Sequence, residues 1–427
     1  MKTERLIAAI LAVVIVTWLP LAAAQDADAI EAGASTDTPL DTLRQARDSL
    51  VAVADYAAAL DPAERIVGSE EAQAAAEFSE DLLRLARIEA GLEDFDAAES
   101  DYLQAIELLA DREGEFSPRL ITAYQALGRV YISTRRFDDA LTALTQAQDI
   151  SQRNSGLFNV EQSSLIDDMT LAYLGIGDTI RARDLQLERL ENAVRRFGPG
   201  DERLIPYYSH LGDYFDRSRL RLSAREQYER ALDISTSARG DHDIESLDLL
   251  RRLTALDIVL NDLEDGIARD RLAEALEHMP DIDARERGLS LAVLGDWAIA
   301  QGDAVAAQSY YADAYAALTE ADADAADEFF ATPQPLDFVA PLDAVDRGGR
   351  SLPWVWGRIE LEFDVSATGR ASNVTTVSMQ PRIDGLENDY RRRLRETHFR
   401  PRIEAGRTVA RQALRYTHSF RFYVRRD

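Results

Sequence analysis

Five histidines, His210, His242, His278, His398 and His418, are the chain's obvious candidates for proton transfer or metal ligation. None lies in a His-Glu-x-x-His frame or a comparable ligand spacing, so a metal site is not expected. There is no cysteine. That excludes disulfides, thiolate metal sites and a lipid-modified N-terminal Cys together. No Gly-x-Ser-x-Gly elbow, Walker A loop or Gly-x-Gly-x-x-Gly cradle occurs. Carboxylates are plentiful, but pairs such as Asp167-Asp168 have no His or Cys partner in a recognisable frame and read as solvated helix face. His398 beside Phe399, and His418 near the end, read as partly buried packing residues. The expectation is a non-enzymatic chain without cofactor or metal, acting by binding.

The elements that would position a binding surface are written in a beat. Small residues recur at Ala98, Ala140, Ala182, Ala224, Gly266 and Ala307, in steps of 42, 42, 42, 42 and 41. Gly114, Gly156, Gly198 and Gly240 keep the same time in the turn-prone stretches between. One supersecondary unit is therefore repeated about six times, the signature of a stacked solenoid. Each copy shows two amphipathic helical stripes. In the second copy these are Tyr124, Leu127, Gly128 and Tyr131, then Ala140, Leu144 and Ala147. In the fourth they are Tyr208, Leu211, Gly212 and Phe215, then Ala224, Tyr228 and Ala231. Small residues mark where helices approach closely, and large ones fill the gaps.

This pattern resembles the tetratricopeptide repeat, whose signature sets a bulky residue, Leu, Gly, an aromatic, then Ala, an aromatic and Ala at these offsets. The resemblance covers residues 78–318 as six copies. The first copy has Glu89 in place of the aromatic, and the third and fifth carry Arg189 and Gly266 at usual Ala positions. A period of 42 in place of 34 puts about eight extra residues into each link. The run from Leu40 to Leu60 reads as one further capping helix within an N-terminal region 25–77. The resemblance implies a stack whose first helices line a concave side, with Gln125, Arg129, Asp167, Asp213, Asp216, Arg251 and Asp296 facing a groove of mixed charge. Arg84, Arg87 and Arg129 fall near one end, and acids further along. Proteins or peptides are the implied partners.

The net charge is −28. Residues 350–427 hold 16 Arg against 9 Asp and Glu, so that end is basic and the rest strongly acidic. An acidic solenoid disfavours nucleic acid and anionic lipid as partners. At the start, Lys2 and Arg5 precede a run from Leu6 to Leu19 that is apolar except for Thr17, then Pro20 and Ala22-Ala23-Ala24. This is the layout of a cleavable secretory signal over residues 1–24. The expected location is the periplasm, with no integral span in the mature chain.

Helical periodicity fades near Thr319, and Ala-Asp alternation with Pro333, Pro335 and Pro341 reads as a linker over 319–350. From Trp354 the period becomes two, with Ile359, Leu361, Phe363 and Val365 on one face. A turn at Thr368-Gly369, a second strand at Ala371–Met379, a helix carrying Leu386, Tyr390 and Leu394, and a last strand at Thr408–Val424 complete a small α+β domain. Residues 351–427 resemble the C-terminal domain of TonB. The resemblance is carried by Gly357, Ala367-Thr368-Gly369, His398-Phe399-Arg400-Pro401, Gly406, Val409, Phe420 and Phe422. It implies docking of an envelope protein or peptide, such as an outer-membrane receptor, by strand addition with Arg411, Arg415 and Arg421 selecting acidic side chains. Should first and last strands be neighbours, these arginines would instead face Glu360 and Glu362, each pair contributing roughly 0.2–1 kcal/mol.

The fold class expected is mostly α, a tetratricopeptide-type α-α solenoid followed by a β-β-α-β domain. The function expected is a periplasmic adapter. The alternative is an energy transducer for outer-membrane receptors with a retained N-terminal anchor.

Overall fold

The computed structural model describes residues 40–156, 162–240, 243–341, 354–383 and 385–423, with backbone alone at 354–355 and 421–423. The expected signal segment, His242 and the side chains of Arg421 and Phe422 lie outside the described residues. The chain divides into two compact units, meeting between Leu92 and Glu93.

In the first unit the run expected as one helix is two, α1 (Leu40–Ala52) and α2 (Tyr56–Val67), followed by α3 (Glu70–Ala74) and α4 (Phe78–Gly91). The break has a local cause. Ala54 takes a positive φ of 58°, and Asp55 then caps α2 by accepting the Ala58 amide. Ala59, Ala63, Leu85 and Ile88 form the core. Arg47 is buried and pairs with buried Asp81 at 2.7 Å, while Arg44 donates to the same carboxylate at 2.5 Å.

The second unit is built of hairpins. After α5 (Phe95–Glu113) come the pairs α6 (Arg119–Ser133) with α7 (Phe137–Ser155), α8 (Ser163–Ile176) with α9 (Thr179–Phe197), and α10 (Ile205–Arg217) with α11 (Arg221–Arg239). Then follow α12 (Ile244–Leu260) with α13 (Ile267–His278), and α14 (Ala284–Gln301) with α15 (Ala304–Ala321). Second helices α5, α7, α9 and α11 are each 19 residues long. Each closes on one of the recurring glycines, Gly114, Gly156, Gly198 and Gly240, whose φ values are 92°, 86°, 94° and 92°. A side chain there would strain the backbone, which explains why glycine keeps the beat. The recurring alanines Ala98, Ala140, Ala182, Ala224 and Ala307 are completely buried in the seams. Gly266 departs from the expected alignment: it caps α13 at φ 55° and does not lie within the helix as the alanines do. α13 has only 12 residues.

The expected linker is partly helix. Asp322 accepts the amides of Asp324 and Ala325 and starts α16 (Ala323–Phe330), whose Ala326 and Phe330, one turn apart, are buried against Tyr311 and Leu318 of α15. Alternating Ala and Asp had concealed this apolar stripe. β1 (Gln334–Pro335) follows at once.

The C-terminal part runs β2 (Trp354–Val365), β3 (Ala371–Gln380), α17 (Leu386–Glu396), β4 (Phe399–Arg400), β5 (Arg402–Glu404), β6 (Arg407–Val409) and β7 (Arg411–Tyr423). The main sheet is antiparallel in the order β3-β2-β7. Ile359, Leu361, Phe363 and Val365 are buried on one face with Tyr390, Leu394 and Phe420. The expected single last strand is broken at Ala410: β6 turns back on β5, and only β7 joins the sheet. β1 pairs with β4, tying the chain after α16 to this part.

Candidate functional site

The groove residues expected on the first helices lie in a row of ion pairs that runs from hairpin to hairpin. On α8, Asp168 accepts from Gln125 at 2.7 Å and Arg129 at 2.8 Å, both on α6. Its neighbour Asp167 meets His210 of α10 at 2.9 Å and Arg189 of α9 at 3.1 Å. The adjacent acids are therefore not solvated helix face. Burial pushes the Asp167 carboxyl up, but His210 and Arg189 prevail and hold it below the usual carboxylate range. For Asp168 burial prevails and its pKa is raised.

Further along, Asp213 accepts the Tyr228 hydroxyl at 2.7 Å and pairs with Arg252 of α12, which also donates to Asp248 at 2.7 Å. Asp216 meets Arg221 at 3.8 Å and also feels the charges of Arg217 and Arg252, but with 46% of its side chain exposed, burial of the rest prevails and raises its pKa. Arg251 is not available to a guest. It is spent on Asp248 at 2.9 Å and Glu286 at 2.6 Å, joining α12 to α14.

Asp296 is not a free groove residue either. Its carboxylate, 6% exposed, takes the Arg400 guanidinium in a fork of 2.8 and 2.5 Å and the Tyr311 hydroxyl at 2.8 Å. Arg400 also lies over the Phe329 ring, 4.6 Å from its centroid. Beside this anchor, Gln308 donates to the Gly406 carbonyl and accepts from the Thr408 amide at 2.9 Å. His398 is more than packing. Its ring meets Asp337 at 2.6 Å, and its amide donates to the same carboxylate at 2.7 Å, fixing the strand that carries Arg400.

On the sheet, β7 pairs with β2 and has no partner on its other side among the described residues. Arg415 lies opposite Glu362 and donates to it at 3.2 Å, and to Glu360 at 3.4 Å. Arg411 does not face those glutamates. The register sets Arg415 at Glu362 and Arg411 at Val365; between these pairs Ala413 bulges out at φ 53° and gives its amide to Asp364. Arg421 is aligned with Trp356. His418 bonds the Tyr390 hydroxyl at 2.7 Å.

Tyr228, Arg252, His210, Phe329 and Arg400 belong to this surface without having been expected there. Part of the signal was present. Gly212-Asp213 is followed by Tyr228, and Gly295-Asp296 by Tyr311, 15 residues after each Asp.

Residues 79–153 match the tetratricopeptide repeat family, and the chain carries repeats of this kind. No curated protein matches it. Among solved structures it is similar to BtubC from P. vanneervenii, at 23% identity and TM-score 0.39 over 58% of this chain and 94% of that one. The C-terminal part of a TPR repeat-containing protein from Cytophaga hutchinsonii is similar at 13% identity and TM-score 0.43, over 67% and 98%. The apo quorum sensor NprR from B. thuringiensis is similar at 11% identity and TM-score 0.37, over 68% and 85%.

Proposed function

We propose that this chain is a periplasmic adapter, whose repeat groove holds one protein partner while a TonB-like C-terminal part docks another envelope protein or peptide. The repeats themselves define a protein-interaction scaffold. The observation that carries the reading is the row of half-exposed ion pairs on the first helices, running from Gln125 and Arg129 through Asp167 and His210 to Asp213 and Arg252. Such a row is polar enough to stay open to water, and it is held in place by neighbouring hairpins. Exposed pairs in such a row contribute only about 0–1 kcal/mol each, so a protein guest can exchange contacts with those. The envelope location rests on the signal-like start of the sequence, and the second docking site on the open edge of β7. A photo-crosslinking residue placed at Asp216 or at Ser419, used in intact cells, should trap discrete protein adducts in the envelope fraction. Adducts at neither position, or a chain confined to the cytoplasm with its first residues intact, would overturn the proposal.

A further inference from the structure

Along the turn edge of the repeats, the second residue of each long second helix stands in solvent, two positions before the buried alanine of its seam. In α5 and α7 it is Asp96 and Asp138, but in α9, α11 and α15 it is Ile180, Leu222 and Val305. α13 opens on Ile267. These four aliphatic side chains are between 63% and 84% exposed, where the earlier hairpins keep an acid. A single exposed aliphatic needs no explanation, whereas one on each of four successive hairpins, at the same edge, marks a contact surface.

The charges on this edge divide at its middle. In the α8–α9 and α10–α11 turns, residues 176–184 and 216–226 hold six arginines against four acids. In the α12–α13 and α14–α15 turns, residues 257–270 and 301–305 hold one arginine against six acids. Internal pairs take up part of each set: Arg183 with Asp184, Arg221 with Asp216, Arg225 with Asp257 and Asp262, and Arg269 with Asp270. Arg181, Arg217 and Arg219 remain in the basic half together with the acids Asp178 and Glu226; Glu264, Asp265 and Asp303 remain in the acidic half. The three arginines and the last three acids are all exposed. Arg217 also borders the cleft toward Val259, and the charge of Arg219 also reaches Tyr416 of β7, but neither has a carboxylate within 4 Å among the described residues.

We propose that this edge is the face on which two copies of the chain pair, about a twofold axis between the α10–α11 and α12–α13 turns. Antiparallel alignment sets Leu222 against the partner's Ile267 and Ile180 against the partner's Val305. It also brings Arg217 and Arg219 to the partner's Glu264 and the partner's Asp265, and Arg181 to the partner's Asp303. A row that is basic in one half and acidic in the other is complementary to its own reversed copy, as an isologous contact requires. The pairing goes beyond the groove reading and does not depend on it.

Sedimentation velocity of the full chain at micromolar concentration tests this. The wild type should be a dimer whose dissociation constant rises at least about tenfold in R217E/R219E and in E264R/D265R, each measured alone, with the unfolding temperature kept. Mixing the two variants should restore a dimer, since one carries acids in both turns and the other arginines, so both halves of a mixed contact join opposite charges. A monomeric wild type, a dimer indifferent to either reversal, as one built on the open edge of β7 would be, or variants that stay apart when mixed would overturn the proposal.

Discussion

Replacing Arg400 by Leu tests how firmly the C-terminal part is seated on the last hairpin. The substitution removes a guanidinium that is 12% exposed and leaves the Asp296 carboxylate, 6% exposed, with Tyr311 as its remaining donor. Breaking a buried pair from one side costs about 3–5 kcal/mol, because the abandoned charge stays in a site of low polarity. At 1.4 kcal/mol per factor of ten, the equilibrium for opening this seat rises by roughly two to three and a half powers of ten. Hydrogen exchange of the amides of β1, β4 and α16 reads that opening directly, since these elements meet at the anchor. The double variant D296N/R400M keeps an acceptor for Tyr311 and buries no charge, so most of the loss should return. Exchange in Arg400→Leu within a factor of about five of the wild type, or a double variant as open as the single one, would refute the reasoning.

Four further outcomes follow from the geometry. Gly212→Ala drives a Cβ into the Tyr228 ring, which its bond to Asp213 keeps from turning away, and should cost about 1–3 kcal/mol in urea unfolding; a neutral result would mean that the ring is free. Gly240→Ala meets open space but a φ of 92°, so it should destabilise by about 1 kcal/mol through backbone strain alone, with no change in the urea slope. Asp337→Ala removes both bonds to His398 and should speed proteolysis between Phe330 and Pro341, a change absent if the pair is incidental. Folding lowers the Asp167 pKa, so its contribution is complete above the unfolded value of about 3.9 and is lost as the pH falls through the folded one. The stability gap between wild type and Asp167→Asn should therefore narrow on acidification from pH 5 to 3, as read by urea midpoints, and a constant gap counts against the pairing with His210 and Arg189.

The hairpins were legible in the sequence because their seams depend on local types at fixed offsets: a completely buried Ala, a Gly under a ring, a left-handed Gly at each close. α16 was not, since its stripe is only Ala326 and Phe330, and the Ala-Asp alternation running into Pro333 and Pro335 reads as a linker. The inner face was half legible. Periodicity puts Asp167, Asp213 and Asp296 on the first helices, but whether an acid stays open depends on who reaches it. Asp213 is met from 39 positions away and Asp296 from 104, distances at which no local pattern speaks. On the sheet, alternation found the buried face of β2, whereas the register, which sets Glu362 opposite Arg415, leaves Arg411 farther along β7, opposite Val365.

The four 19-residue second helices α5, α7, α9 and α11 behave like the teeth of a rack. One residue inserted inside a tooth would swing everything beyond it by about 100° and unseat the next alanine, whereas the loop past a closing glycine absorbs an extra residue with little torsion. Labels, tags and cleavage sites for probing this molecule therefore belong just after Gly198, where the machinery has slack.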